Sequence, residues 1–287
     1  MWSGQPPGGG GNRAKAAAIA AATTVVVAVG VTGFLLLGSD RDVNANGGSR
    51  NTKAPAIASK STTASAPASD NPRGSETERP TVPGWKVVIN PKRGTAFDVP
   101  PDWDVKSPGL LIGFEDSKVD YSDPDNWGKV IIVMGAPAVL QESWCVSNDM
   151  KNGRVKSTST ALAATGTKGA SGARSTGDAA LGQVERWVYG GYTQPDTKSI
   201  IHDKAARPYT TKSGIKGSIA WARSRNTPQK GKCASDGKAI TFGFKNSAGD
   251  FVAWSLYGAT GVKNELPDST IMKILGTVRL HGDPTES

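Results

Sequence analysis

The chain has 287 residues and a formal net charge of +9, unevenly distributed. Residues 1–83 carry 8 Lys/Arg, 5 Asp/Glu and two aromatic residues, Trp2 and Phe34; the remainder holds 26 Lys/Arg, 20 Asp/Glu and seven of the eight Trp. Only that second part, about 200 residues, can bury a core, which excludes a collagen, a coiled coil, a disulfide-dense miniprotein and a polytopic transporter.

Residues 1–15 are rich in Gly and Pro, and their only charges are Arg13 and Lys15. Nothing in them offsets the entropy of ordering, so they read as a disordered cytoplasmic head. Residues 16–38 form an uncharged apolar run of 23 residues. As a helix it would extend roughly 34 Å, enough for a hydrocarbon core of about 30 Å. Apolar residues surround this helix on all sides, unlike the single stripe of a soluble helix. Arg13 and Lys15 at its front orient the N-terminus to the cytoplasm and the rest to the outside. The run exceeds the roughly 7–15 apolar residues of a signal peptide. It therefore reads as an uncleaved signal-anchor. A cleaved signal is the alternative, because Val43-Asn44-Ala45 offers a small-residue cleavage site. Residues 39–83, dominated by Ser, Thr, Ala, Pro, Asn and Gly, read as a disordered linker. A flexible coil of that length spans roughly 35–40 Å, enough to lift a domain off a membrane.

The folded part is expected over 84–282, followed by a tail at 283–287. Strands are expected at 86–90, 95–99, 110–115 and 129–137, the last apolar enough to be central. Residues 138–150 mix helix and loop. The Gly/Ser/Thr/Ala-rich stretch 151–178 reads as an exposed loop or a short helix with a long loop. The spacing over 178–192 predicts a helix capped by Asp178, with Leu181, Val184, Trp187 and Val188 on one face. Strands follow, the last two joined by a turn at Ala248-Gly249. A closing helix over 269–280, capped by Asp268, buries Ile271, Ile274, Leu275 and Val278. This order predicts an α+β fold: a single antiparallel sheet flanked by helices, preceded by one transmembrane helix and the linker.

Two motifs carry a family resemblance. Phe97-Asp98-Val99-Pro100-Pro101-Asp102-Trp103 resembles the opening of PsbP-like domains, and Ile271, Ile274, Leu275, Thr277, Val278 and Arg279 resemble their closing helix, with Thr277 where the family often has Ser. Such α/β/α sandwich domains occur in membrane-anchored exported proteins of actinobacteria. The resemblance implies a sandwich fold and an accessory or binding role rather than a particular activity.

Cys145 and Cys233 are the only cysteines. An even count in an oxidising compartment predicts a disulfide between them. Catalytic signals are sparse. His202 lacks a nucleophile elbow, and His281 falls in the tail. Ser213 and Lys216 fit S-x-x-K, but no S-D-N accompanies them. Asp116, Asp120, Asp123 and Asp125 resemble a calcium loop, yet Trp127 and Met134 fall where oxygen ligands belong. Neither a phosphate loop nor a zinc spacing occurs, so no cofactor, metal or catalytic set is expected.

Charge is the more informative feature. Residues 84–150 have 6 basic and 10 acidic side chains (net −4), and residues 151–240 have 16 basic and 5 acidic (net +11). If alternate strand positions share a face, Lys212, Lys216, Arg223 and Arg225 form an anion-binding patch. No aromatic interleaving of the kind that stacks bases is present, so nucleic acid is not expected. The reading that follows is a single-pass, membrane-anchored extracytoplasmic accessory or binding module of the bacterial envelope. Its partners would be the bilayer, through 16–38, and an anionic wall polymer or envelope protein. The alternative is an extracytoplasmic hydrolase acting on cell-wall material.

Overall fold

The structure, a computed structural model, describes residues 78–116, 129–151, 154–228 and 231–286. The head, the apolar run 16–38, the linker to residue 77 and most of the aspartate-rich stretch lie outside the described residues. Within them, no helix is long and apolar enough to cross a membrane.

The strands are β1 Lys86–Asn90, β2 Thr95–Val99, β3 Trp103–Val105, β4 Leu111–Glu115, β5 Val130–Leu140, β6 Cys145–Lys151, β7 Arg154–Thr160 and β8 Ala163–Gly169. After α1, Thr176–Val188, come β9 Ile200–His202, β10 Arg207–Thr210, β11 Lys216–Ser224, β12 Asp236–Lys245 and β13 Phe251–Thr260. The described chain ends with α2, Asp268–Leu275, and β14, Arg279–Leu280. A nine-stranded antiparallel sheet runs β10-β11-β12-β13-β8-β5-β3, with β9 paired to β11 and β4 to β5. Two further sheets are β1-β2-β14 and β6-β7.

This overturns the expected single-sheet, PsbP-like sandwich flanked by helices. The described residues are mostly β, in three sheets, with two helices of 13 and 8 residues. The stretch read as a loop or short helix, 151–178, supplies β7 and β8. Its Thr, Ala and Gly residues carry no bulky alternation, yet β8 lies between β13 and β5, whose side chains cover it. Small residues are needed there: a Cβ on Gly166 would lie 2.8 Å from the Gly135 carbonyl oxygen. Residues 138–150, read as helix and loop, complete β5 and most of β6.

Both helices differ from expectation at their ends. Ser175, not Asp178, caps α1: its Oγ accepts from the Asp178 N–H at 3.0 Å. Pro267 precedes α2, so Asp268 is a first-turn residue. α2 stops at Leu275, where the Thr277 hydroxyl donates back to the Ile274 carbonyl at 2.6 Å. Val278 still reaches the core, from outside the helix, and Arg279 begins β14 against β2.

The nine-stranded sheet is covered on both faces. On one, α1 brings Val184, Trp187 and Val188 against Phe114, Met134 and Tyr257. Trp187 stacks on Tyr257 with centroids 5.2 Å apart. On the other, α2 and the β1-β2-β14 sheet pack over Phe242, Phe244 and Trp254, and Phe97 meets Trp254 edge-on at 6.1 Å. α1 lies so close that a Cβ on Gly243 would fall 2.2 Å from the Thr176 carbonyl oxygen and 2.8 Å from the Ala179 methyl. Gly243→Ala should therefore cost roughly 1–3 kcal/mol by overpacking, read as a lower melting temperature. An unchanged melt would mean that α1 is not held tightly on the sheet.

Candidate anion-binding site

The basic quartet expected to share a face does not. β11 pairs with β12 without a register break, so its side chains alternate strictly. Lys216 and Arg223 are an odd number of residues apart and face opposite sides of the sheet, roughly 23 Å apart along the strand. Arg223 lies over Trp221, 4.7 Å from the ring centroid, and is paired with Asp268 of α2. Lys212 sits in the turn before β11, its N–H bound to the Gly276 carbonyl, and Arg225 lies beyond the strand's other end. The assumption of a shared face failed on parity, and one member is already neutralised.

The other singled-out residues hold the fold. Ser213 Oγ donates to the Val278 carbonyl at 2.9 Å and lies 2.8 Å from Thr211 Oγ1, locking a turn. His202 Nε2 lies 3.6 Å from Glu185 on α1. His281 is not frayed: its Nδ1 is 2.8 Å from Glu78 Oε2. Cys145 and Cys233 are disulfide-bonded, with Cα atoms 5.6 Å apart, tying β6 to the loop before β12. Among the described residues no cluster of His, Cys, Asp and Glu could hold a metal ion.

A different group of cations converges where the large sheet splits. β5 pairs with β8 only from Gly135 onward, with a register break at Ala136, whose φ is 46°. Earlier in β5 the ladder runs to β4 alone. The two strands thus diverge, and a cavity of about 250 Å³ opens between Met134 on one side and Lys168 on the other. Asn90 and Arg93, from the end of β1 and the turn after it, also line it.

Asn90 is buried; its Nδ2 donates to Thr167 Oγ1 at 2.7 Å, while its Oδ1 has no partner. Arg93 can lie against β8 because residue 169 is glycine: a Cβ there would be 3.1 Å from its guanidinium carbon. Lys168 is half-buried, and no carboxylate among the described residues pairs with it. Burial, then the guanidinium groups of Arg186 and Arg93, hold its ammonium below the usual lysine value. Lys92, at the rim, pairs with Glu286 at 2.7 Å, and Arg93 reaches the same carboxylate at 3.8 Å. Three cations, Lys92, Arg93 and Lys168, thus line the cavity with one carboxylate, Glu286. Such a surplus in a partly desolvated cavity attracts an anion, and Asn90 Oδ1 can take a donor from it.

The family model described as a domain of unknown function, DUF8017, matches residues 78–283. The chain belongs to this family. No curated protein and no solved structure matches it. The DUF8017 match begins at a residue built into the fold: Glu78 accepts from Arg279 Nε at 2.7 Å, and Thr81 and Val82 donate to Asp98 Oδ2. Residues 78–83, read as the end of the linker, therefore belong to the DUF8017 domain. In the split, Lys92 and Arg93 are legible as basic turn residues. Lys168 is not, because the strand carrying it, AATGTKG, has the composition of a loop.

Proposed function

We propose that the chain is a single-pass, membrane-anchored binding module of the bacterial cell envelope, with its DUF8017 domain outside the cell. In this reading the split between β5 and β8 takes the phosphate or carboxylate groups of an anionic wall polymer. The length of the apolar run 16–38 and its flanking positive charges support the anchor. The disulfide supports an oxidising compartment. The observation that carries the binding role is Lys168, an ammonium without a carboxylate partner among the described residues, partly desolvated beside Arg93 in the cavity.

Lys168→Met in the full chain keeps the length and apolar stem of the side chain while deleting the charge. Affinity for poly(glycerol phosphate), measured by titration calorimetry, should fall about ten-fold or more, as loss of a charge-assisted hydrogen bond dictates. Lys216→Gln should leave it unchanged. The same Lys168→Met variant should melt higher than the parent. A lysine whose pKa falls on folding costs stability while protonated, so relief is full at pH below its folded value and disappears as pH rises through the unfolded one. Binding should weaken as pH rises through that lowered value, because the anion holds the protonated amine. Full retention of affinity by Lys168→Met would remove the split as the site.

A further inference from the structure

Opposite the split, at the other end of β8, lies a second cleft of about 430 Å³. Leu162, which lines it, and Lys168 are six positions apart, so the two sites are roughly 20 Å apart along the strand. Trp103 is fully buried here, and Trp85 is half-buried with the Lys273 ammonium 4.7 Å from its ring centroid. Asp102, Gln141 and Asn264, from three different loops, form the polar rim. All three are exposed, and their side chains make no hydrogen bond among the described residues.

Two of these rim residues hold an unfavourable backbone. Gln141 has φ 47° and Asn264 φ 65°, two of the four non-glycine residues with positive φ among the described residues. Glycine would hold this geometry at lower cost. The Gln141 carbonyl is fixed there by the N–H groups of Trp144, at 2.9 Å, and Leu162, at 3.3 Å. Strained positions carrying side chains rather than glycine cluster at ligand sites.

We infer that this cleft binds a sugar ring of an uncharged polysaccharide. A pyranose has an apolar C–H face that packs on an indole. Its edge carries neighbouring hydroxyls that each donate and accept. Planar amides and a carboxylate at a rim match that pattern, since each offers two polar atoms at fixed spacing. The formal charges, Asp102 and Lys273, cancel, which suits a neutral ring and contrasts with the cationic split. This inference uses no residue of the anion site and does not rest on it.

The test uses the full chain in a detergent that carries no sugar headgroup, with cellotetraose and chitotetraose as probes and tryptophan fluorescence as readout. At least one probe should shift the emission saturably. Trp85→Ala should weaken that binding about ten-fold or more, as truncating a central aromatic anchor does. Because Trp85 also packs on the core, Asn264→Gly is the second variant: it keeps the left-handed backbone, removes only the amide, and should also weaken binding. No saturable response to either probe overturns the inference, as does wild-type affinity in both variants. Sugar binding lost in Lys168→Met but kept in Trp85→Ala would place the ring in the split and equally overturn it.

Discussion

Arg279→Met will lower the melting temperature by roughly 6–20 °C, since breaking a buried pair costs about 3–5 kcal/mol and each kcal/mol shifts a domain of this size by about 2–4 °C. Asp98 is fully buried and accepts from Arg279 Nη1 at 2.9 Å, from Thr81 Oγ1 at 2.6 Å and from the N–H groups of Thr81 and Val82. Removing the guanidinium leaves that carboxylate desolvated without its cation. Asp98→Asn in the Arg279→Met background should recover part of the loss, because the amide needs no counter-charge. A thermal melt of the two single variants and the double variant closes the cycle. Additive losses would mean that the pair is not coupled. The same cluster responds to acid. The hydrogen bond from Arg279 holds the Glu78 carboxyl below the usual glutamate value. Its contribution is thus complete above the unfolded pKa and is lost as pH falls through the lowered one.

Reduction of the disulfide should be comparably damaging. The bond closes a loop with a sequence separation of 88, for which the chain-entropy model gives about 4–5 kcal/mol. Its placement sharpens the expectation, because among the described residues β6 and β7 pair with each other and form a sheet apart from the other two. Lys232 Nζ donates to the Val146 carbonyl at 3.1 Å beside the bond, a weak tie by comparison. Cys145→Ala/Cys233→Ala should therefore melt well below the parent and lose amide-exchange protection first across β6 and β7. Equal melting with and without reductant, or protection lost uniformly, would show that the hairpin is held by other means.

How far these features were legible depends on which residues supply burial. KVVIN at 86–90 and the apolar run at 130–140 announce strands because their own side chains are bulky and β-branched. β8 is AATGTKG, and its burial comes from Trp254, Leu256 and the end of β5, neighbours up to 90 residues away that no local window contains. The two motifs that suggested a family likeness have a physical explanation independent of it. Asp98 lies in the opening motif, while Thr277 and Arg279 lie in the closing one. The Asp98 N–H donates to Thr277 Oγ1 at 2.8 Å, and its carboxylate holds Arg279. They are conspicuous in sequence because each is the other's buried partner. The candidate sites had no such signal. The basic quartet was assembled from charge density alone, and strand parity dispersed it. Arg93 and Lys168 meet only because β5 leaves β8 at Ala136, an irregularity that composition does not reveal.

The clasp at Asp98 also decides how the domain would respond to being pulled. Tension arriving through the residues before Glu78 enters the fold at Glu78, Thr81 and Val82, which grip Arg279 of β14 and Asp98 of β2. Both strands belong to the small sheet. Force would thus strip the three-stranded sheet from the face of the molecule before reaching the β13-β8-β5 ladder, and would carry away Asn90, Arg93 and Trp85, which line the two cavities. A sudden tug spends itself on ion pairs that can re-form, leaving the load-free remainder in register.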